Sequence, residues 1–199
     1  MYFTVYLCCM QKIIQLFQKH NGYLRSKELS KNGHTFKLLK ELVEEGKVEK
    51  IKPGLYRHLD YVTNDELFEV SKMYPKAVIC LFSAWYYYEL TTHIPTEYHL
   101  AIPNKMKLKP SEYPPVQFYY WDIHYFEIEI VQDNGINIYS LEKSVCDAVR
   151  FKNKIGADIF SEVVKNYVKR KDKNISKLIQ VAKQLKVEKQ VRNTLDLLL

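Results

Sequence analysis

The stretch KVEKIKPGLYRHL, residues 47–59, decides how the first third of the chain is read. Two short runs flank Pro53-Gly54, and each mixes apolar residues (Val48, Ile51; Leu55, Tyr56) with basic ones (Lys47, Lys50, Lys52; Arg57). Proline presets φ and glycine accepts positive φ, which suits the two central positions of a type II turn. The stretch therefore predicts a hairpin with a basic exterior, either an ordinary surface hairpin or the wing of a winged helix.

The residues upstream favour the wing. Met10, Ile13, Ile14 and Phe17 recur at the i, i+3, i+4, i+7 spacing of an amphipathic helix, which Asn21-Gly22 ends. Ser26 is a candidate N-cap for a short helix over 27–30, and Asn32-Gly33 closes the next turn. Thr35 can cap a third helix with Phe36, Leu39 and Val43 among its apolar positions and Gly46 at its end. Helix, short helix, turn, helix and hairpin in this order make a winged helix-turn-helix, whose later helix enters the DNA major groove.

Beyond residue 60 the pattern changes. Residues 60–75 read as a linker and a helix, capped by Thr63 or Asn64 and stopped by Pro75. The apolar run KAVICLFSAWYYYEL predicts a buried helix ending near Leu90. EYHLAIP, VQFYYWDI, YFEIEIVQ and INIYS are rich in β-branched and aromatic residues and predict a small, mainly antiparallel sheet. LEKSVCDAVRFKNK turns helical again, and further helices are expected at 158–169, 174–185 and 187–199. The expected fold class is α+β: a winged helix-turn-helix over 1–60, then a mixed domain over 61–199 with C-terminal helices.

Charge is unevenly spread. Residues 1–60 hold 11 Lys/Arg against 6 Asp/Glu, residues 61–150 hold 7 against 12, and residues 151–199 hold 12 against 5. Two basic ends around an acidic middle suggest a polyanion partner at the ends. The four cysteines form no CxxC pair, which points to neither a zinc site nor a redox motif. The apolar start MYFTVYLCCM is too short for a membrane span and lacks a basic leader, so a cytoplasmic protein is expected.

No P-loop, GxGxxG, GxSxG or HExxH occurs, and the six histidines are scattered. The best catalytic candidates are Asp122, Glu127 and Glu129, read as strand residues. A nuclease could hold Mg²⁺ with such acids. No lysine stands two residues after any of these three acids, as a common nuclease pattern requires, so the expectation is no enzyme, no metal and no cofactor.

DNA binding needs cations at phosphates and a few side chains at base edges. The third helix offers His34, Thr35, Lys37 and Lys40, the start of the second offers Arg25, Ser26 and Lys27, and the wing offers Lys50, Lys52 and Arg57. A second basic surface is drawn from Arg150, Lys152, Lys154, Lys165, Lys169, Arg170 and Lys171, although cations at helix C-termini also serve the dipole. Ser83 and the run Trp85 to Tyr88 read either as core or as a platform for stacked bases.

GYLRSKELSKNGHTFKLLKELVEEGKVEKIKPGLYRH resembles the N-terminal winged helix of AbiEi-type antitoxins from type IV, abortive-infection toxin–antitoxin systems. PKAVICLFSAWYYYELTTHIPTEYHLAIP and IYSLEKSVCDAVRFKNKIGADIFSEVVKNYV are similar to that family's core and C-terminal segments. The resemblance implies a repressor of its own operon that binds double-stranded DNA. It also implies an antitoxin against a nucleotidyltransferase-like toxin, acting through the C-terminal region without a stable complex. Two other readings stay open: an antitoxin that binds its toxin directly, and a regulator with an effector-binding C-terminal domain.

Overall fold

The computed structural model describes residues 2–31, 36–61 and 65–197, with side chains from residue 8 onward. The chain divides into two compact units, Met1–Asp65 and Glu66–Leu199.

The first unit runs α1 (Tyr2–Lys19), β1 (Tyr23–Arg25), α2 (Ser26–Lys31), α3 (Phe36–Glu44), β2 (Val48–Lys52) and β3 (Leu55–His58). Met10, Ile13 and Phe17 of α1 pack on Leu24, Leu29, Leu39, Leu42, Val48 and Tyr56. The chain leaves α1 through Asn21 (φ 53°) and Gly22 (φ 83°), the left-handed residues that end a helix abruptly. The strands form an antiparallel sheet in the order β1-β3-β2. Three helices with a β-hairpin after the third give the winged helix-turn-helix arrangement. Strand β1 is unanticipated, because three residues carry no readable alternation. Ser26 is not the N-cap of α2 but its first residue; Arg25 precedes the helix, and its N–H donates to Glu28 Oε2 at 2.8 Å.

The second unit contains α4 (Glu66–Met73), β4 (Val78–Ile79), α5 (Leu81–Tyr87), β5 (Tyr98–Pro103), β6 (Val116–Trp121), α6 (Ile123–Phe126), β7 (Ile130–Asp133) and β8 (Ile136–Tyr139). It ends with α7 (Leu141–Arg150), α8 (Lys152–Ile155), α9 (Ala157–Lys169), α10 (Ile175–Gln184) and α11 (Glu188–Asp196). Its sheet has the order β6-β5-β4-β8-β7. The sheet is mixed rather than mainly antiparallel: β5–β6 and β4–β8 are parallel, β4–β5 and β7–β8 antiparallel. The long Pro-punctuated connection between β5 and β6 is a crossover, not a hairpin loop. The segment expected as one buried helix begins with β4 before α5. The segment YFEIEIVQ is not one strand, because α6 and a left-handed Glu129 (φ 57°) interrupt it before β7.

Helix α7 is the centre of this unit. Ser140 caps it, accepting from Lys143 N–H at 3.3 Å. Every residue from Glu142 to Val149 is buried, polar ones included. Lys143 Nζ bonds both carboxylate oxygens of Asp147 at 2.8 Å, with both side chains 0% exposed. The ammonium also lies 3.9 Å from the Trp121 ring centroid and 4.2 Å from that of Tyr139. Trp85 Nε1–H donates to Ser144 O at 2.8 Å and Tyr88 O–H to Tyr139 O at 2.9 Å, so α5 is tied to α7 and β8 by polar anchors within an apolar core.

Candidate nucleic-acid interface

Helix α3 buries Leu39 and Leu42 and leaves Phe36, Lys37, Lys40 and Glu44 exposed. At 3.6 residues per turn those four share one arc opposite the two leucines. Phe36, expected in the core, is 54% exposed and meets the Tyr56 ring edge-on at 6.1 Å. The exposed arc therefore carries an apolar side chain beside two lysines. Lys40 makes only a 3.9 Å contact with Glu44, both well exposed, which costs little to exchange for a phosphate. His34 and Thr35 lie outside the described residues.

The wing is the β2–β3 hairpin. Gly54 has φ +80°, a conformation that any other residue would adopt under strain. Ser26 N–H donates to Gly54 O at 3.0 Å, which ties the start of α2 to the tip of the wing. Arg25 on β1 and Lys52 on β2 both register against Leu55, one on each side of the central strand. Burial, and then the positive charge of Arg25, bring the Lys52 ammonium down to about 8. Arg25 and Lys52 thus flank the central strand of the wing sheet at its turn end.

Not every expected cation is equally available. Arg57 Nη2 pairs with Glu49 Oε2 at 2.7 Å across the hairpin, where the two residues stand directly opposite. Lys50 and Lys27 are exposed, Arg25, Ser26 and Lys52 half-buried. The structure thus brings Arg25, Ser26, Lys52 and the wing tip together and sets Lys37 and Lys40 on the outer arc of α3. The carboxylates of Glu28 and Glu49 beside the basic residues were not foreseen. Their signal lies in the capping spacing of Arg25 to Glu28 and in the strand register, which the sequence does not print.

In the second unit the basic residues form two groups rather than one surface. Arg150, Lys152 and Lys154 sit near the start of α9, and Lys165, Lys169, Arg170 and Lys171 at its end; a 13-residue helix places these ends about 18 Å apart. The Arg150 guanidinium stacks over the Tyr125 ring at 4.5 Å. Arg170 is a structural residue: it bonds both Asp172 oxygens at 2.8 and 2.7 Å and Tyr88 O at 2.7 Å. Trp85 is buried and Tyr86 exposed, while Tyr87 and Tyr88 are half-buried. Of the acids weighed for a nuclease, Asp122 caps α6, Glu127 ends it, and Glu129 pairs with Lys177 at 2.8 Å. Glu127 and Glu129 therefore do not share a strand face. Among the described residues no group of three or more His, Cys, Asp or Glu is placed to hold a metal, and no helix is long and apolar enough to cross a membrane.

A winged helix-turn-helix with lysines on the outer arc of its third helix and further cations at its wing defines the first unit as a regulator-type DNA-binding domain. The family described as "Transcriptional regulator, AbiEi antitoxin" matches residues 11–58, from within α1 to the last residue of β3. That segment is an AbiEi-type antitoxin and transcriptional-regulator domain. No curated protein matches the chain.

Proposed function

We propose that the protein is a cytoplasmic DNA-binding antitoxin that represses its own toxin–antitoxin operon. Residues 1–60 act as the DNA-binding domain and 61–199 as the domain that counteracts a nucleotidyltransferase-like toxin. The observation that carries the reading is a winged helix-turn-helix within a segment that matches a regulator family; cations on the exposed arc of α3, at the start of α2 and on the wing support it. Lys37 and Lys40 face the groove. Arg25, Ser26, Lys27, Lys50 and Lys52 hold phosphates, joined by Arg57 once Glu49 releases it. His34 and Thr35 are assigned to base edges from the sequence pattern alone. Phosphate contacts supply affinity and orientation, and the α3 arc supplies sequence preference.

The antitoxic role rests on the resemblance of the core and C-terminal segments. It is tested by co-expressing the neighbouring gene's product with residues 66–199 and with the full chain. Rescue of growth by the full chain supports the role. Absence of rescue, with both proteins present in soluble form, refutes it.

A further inference from the structure

Strand β6 lies at one edge of the five-stranded sheet. Tyr98 N–H bonds Pro115 O and Asn104 N–H bonds Trp121 O, each at 2.8 Å, so the odd-numbered residues of this segment point their backbone groups at β5. Val116, Phe118 and Tyr120 consequently point theirs outward. Among the described residues, those outward groups have no backbone partner, and a 3.3 Å bond from the Gln117 side-chain amide to Phe118 O is their sole contact.

Natural edge strands are guarded by shortness, proline, bulges or charge. Within its six residues, VQFYYW, in unbroken register with β5, β6 carries none of these; Pro114-Pro115 precede it and Asp122 follows it. The opposite edge, β7, is guarded, with four residues including Asp133 and with Glu129 just before it. Tyr120 is 56% exposed on the same strand face as Val116 and Phe118, which are themselves buried within the subunit.

We propose that β6 is a homodimerisation edge, pairing antiparallel with β6 of a second copy across a two-fold axis at Phe118. A strand is self-complementary in this arrangement. Phe118 faces its counterpart, and Val116 faces Tyr120 of the second copy. Three residues with one donor and one acceptor each then exchange six hydrogen bonds. Tyr120 stands opposite the β-branched Val116, an aromatic–β-branched cross-strand pair, and Gln117 meets Tyr119 on the other face. With no charge on the strand, no like charges meet at the axis, which is why a second copy fits this edge. The interface is isologous and closed, and it gives the assembly two winged helices for two half-sites.

The test is the mass of the full chain by light scattering after size exclusion, from about 1 to 100 µM, with amide exchange alongside. The expected result is twice 23.7 kDa for the wild type, and 23.7 kDa for Tyr120→Lys with an unchanged circular dichroism spectrum. The amides of Val116, Phe118 and Tyr120 exchange at least about tenfold more slowly in the wild type than in the variant. A mass of 23.7 kDa for the wild type at every concentration overturns the proposal. So does a dimer in which those three amides exchange freely. Should Tyr120→Lys lose its helical signal, the exchange of the wild type alone decides.

Discussion

Replacing Lys143 by Met removes one half of an ion pair that has no access to water. Asp147 would be left with neither its ammonium partner nor solvent. Lys143 Nζ holds both its oxygens at 2.8 Å, and both side chains are 0% exposed. Breaking such a pair costs about 3–5 kcal/mol, whereas replacing both partners by apolar groups is near neutral. In a unit of this size the loss lowers Tm by roughly 10–20 °C. The sign of the pH dependence follows from Asp147. Burial already raises its carboxyl above the ordinary value, against the pull of Lys143. Without Lys143 it rises further, so the folded variant binds a proton that the unfolded chain has released, and stability falls as pH rises through the raised value. Urea denaturation of Lys143→Met, Asp147→Val and the double variant at pH 5 and pH 8 tests this. The single lysine variant loses more at pH 8 than at pH 5, and the double variant recovers most of the loss. A cost below about 1 kcal/mol, or a double variant as weak as the sum of the singles, refutes the reasoning.

Three further outcomes are expected. Lys52→Ala lowers affinity for all DNA sequences and reduces the magnitude of the slope of log K against log salt by about 0.9, while Lys37→Ala or Lys40→Ala shifts sequence preference, as a salt titration on paired operators would read. Because the Lys52 ammonium stands at about 8, a phosphate contact there takes up a proton; affinity weakens as pH rises from about 7 to 9, and Lys52→Arg removes that dependence. His99 is 8% exposed and stacked on Tyr119, and burial, then His93, holds it down to about 4. Its contribution is therefore present above the unfolded value near 6.5 and is lost as pH falls toward 4, by up to about 3 kcal/mol, which His99→Gln flattens in acid denaturation.

The winged helix was legible because its signals are local. The 3.6-residue stripe of α1, Asn21-Gly22 and Pro53-Gly54 each act over a few residues. Strand β1 was not, since its pairing with β3 is a long-range choice that a three-residue strand cannot announce. Phe36 misled for a related reason: apolar spacing says that a residue suits a core, and tertiary packing gave the buried arc to Leu39 and Leu42. In the second unit the β-branched, aromatic composition marked the strands, but parallel pairing is set by the crossover between β5 and β6. Glu127 and Glu129 alternated as strand residues would, yet Asp122 captured the N–H of His124 at 3.0 Å and started a helical turn instead. At the candidate interface the residue types were readable, whereas the meeting of Ser26 with Gly54 and the pairing of Arg57 with Glu49 depend on register.

The central claim is that the first unit reads the DNA of its own operon. Its most direct measurement is the affinity of the full chain for the DNA upstream of its gene and for a scrambled duplex, at several salt concentrations. The account predicts preference for the upstream sequence, a steep loss of affinity with salt, and loss of binding when Lys37, Lys40 and Lys52 are replaced together by Ala. Equal affinity for both duplexes, or binding untouched by the triple replacement, would contradict it.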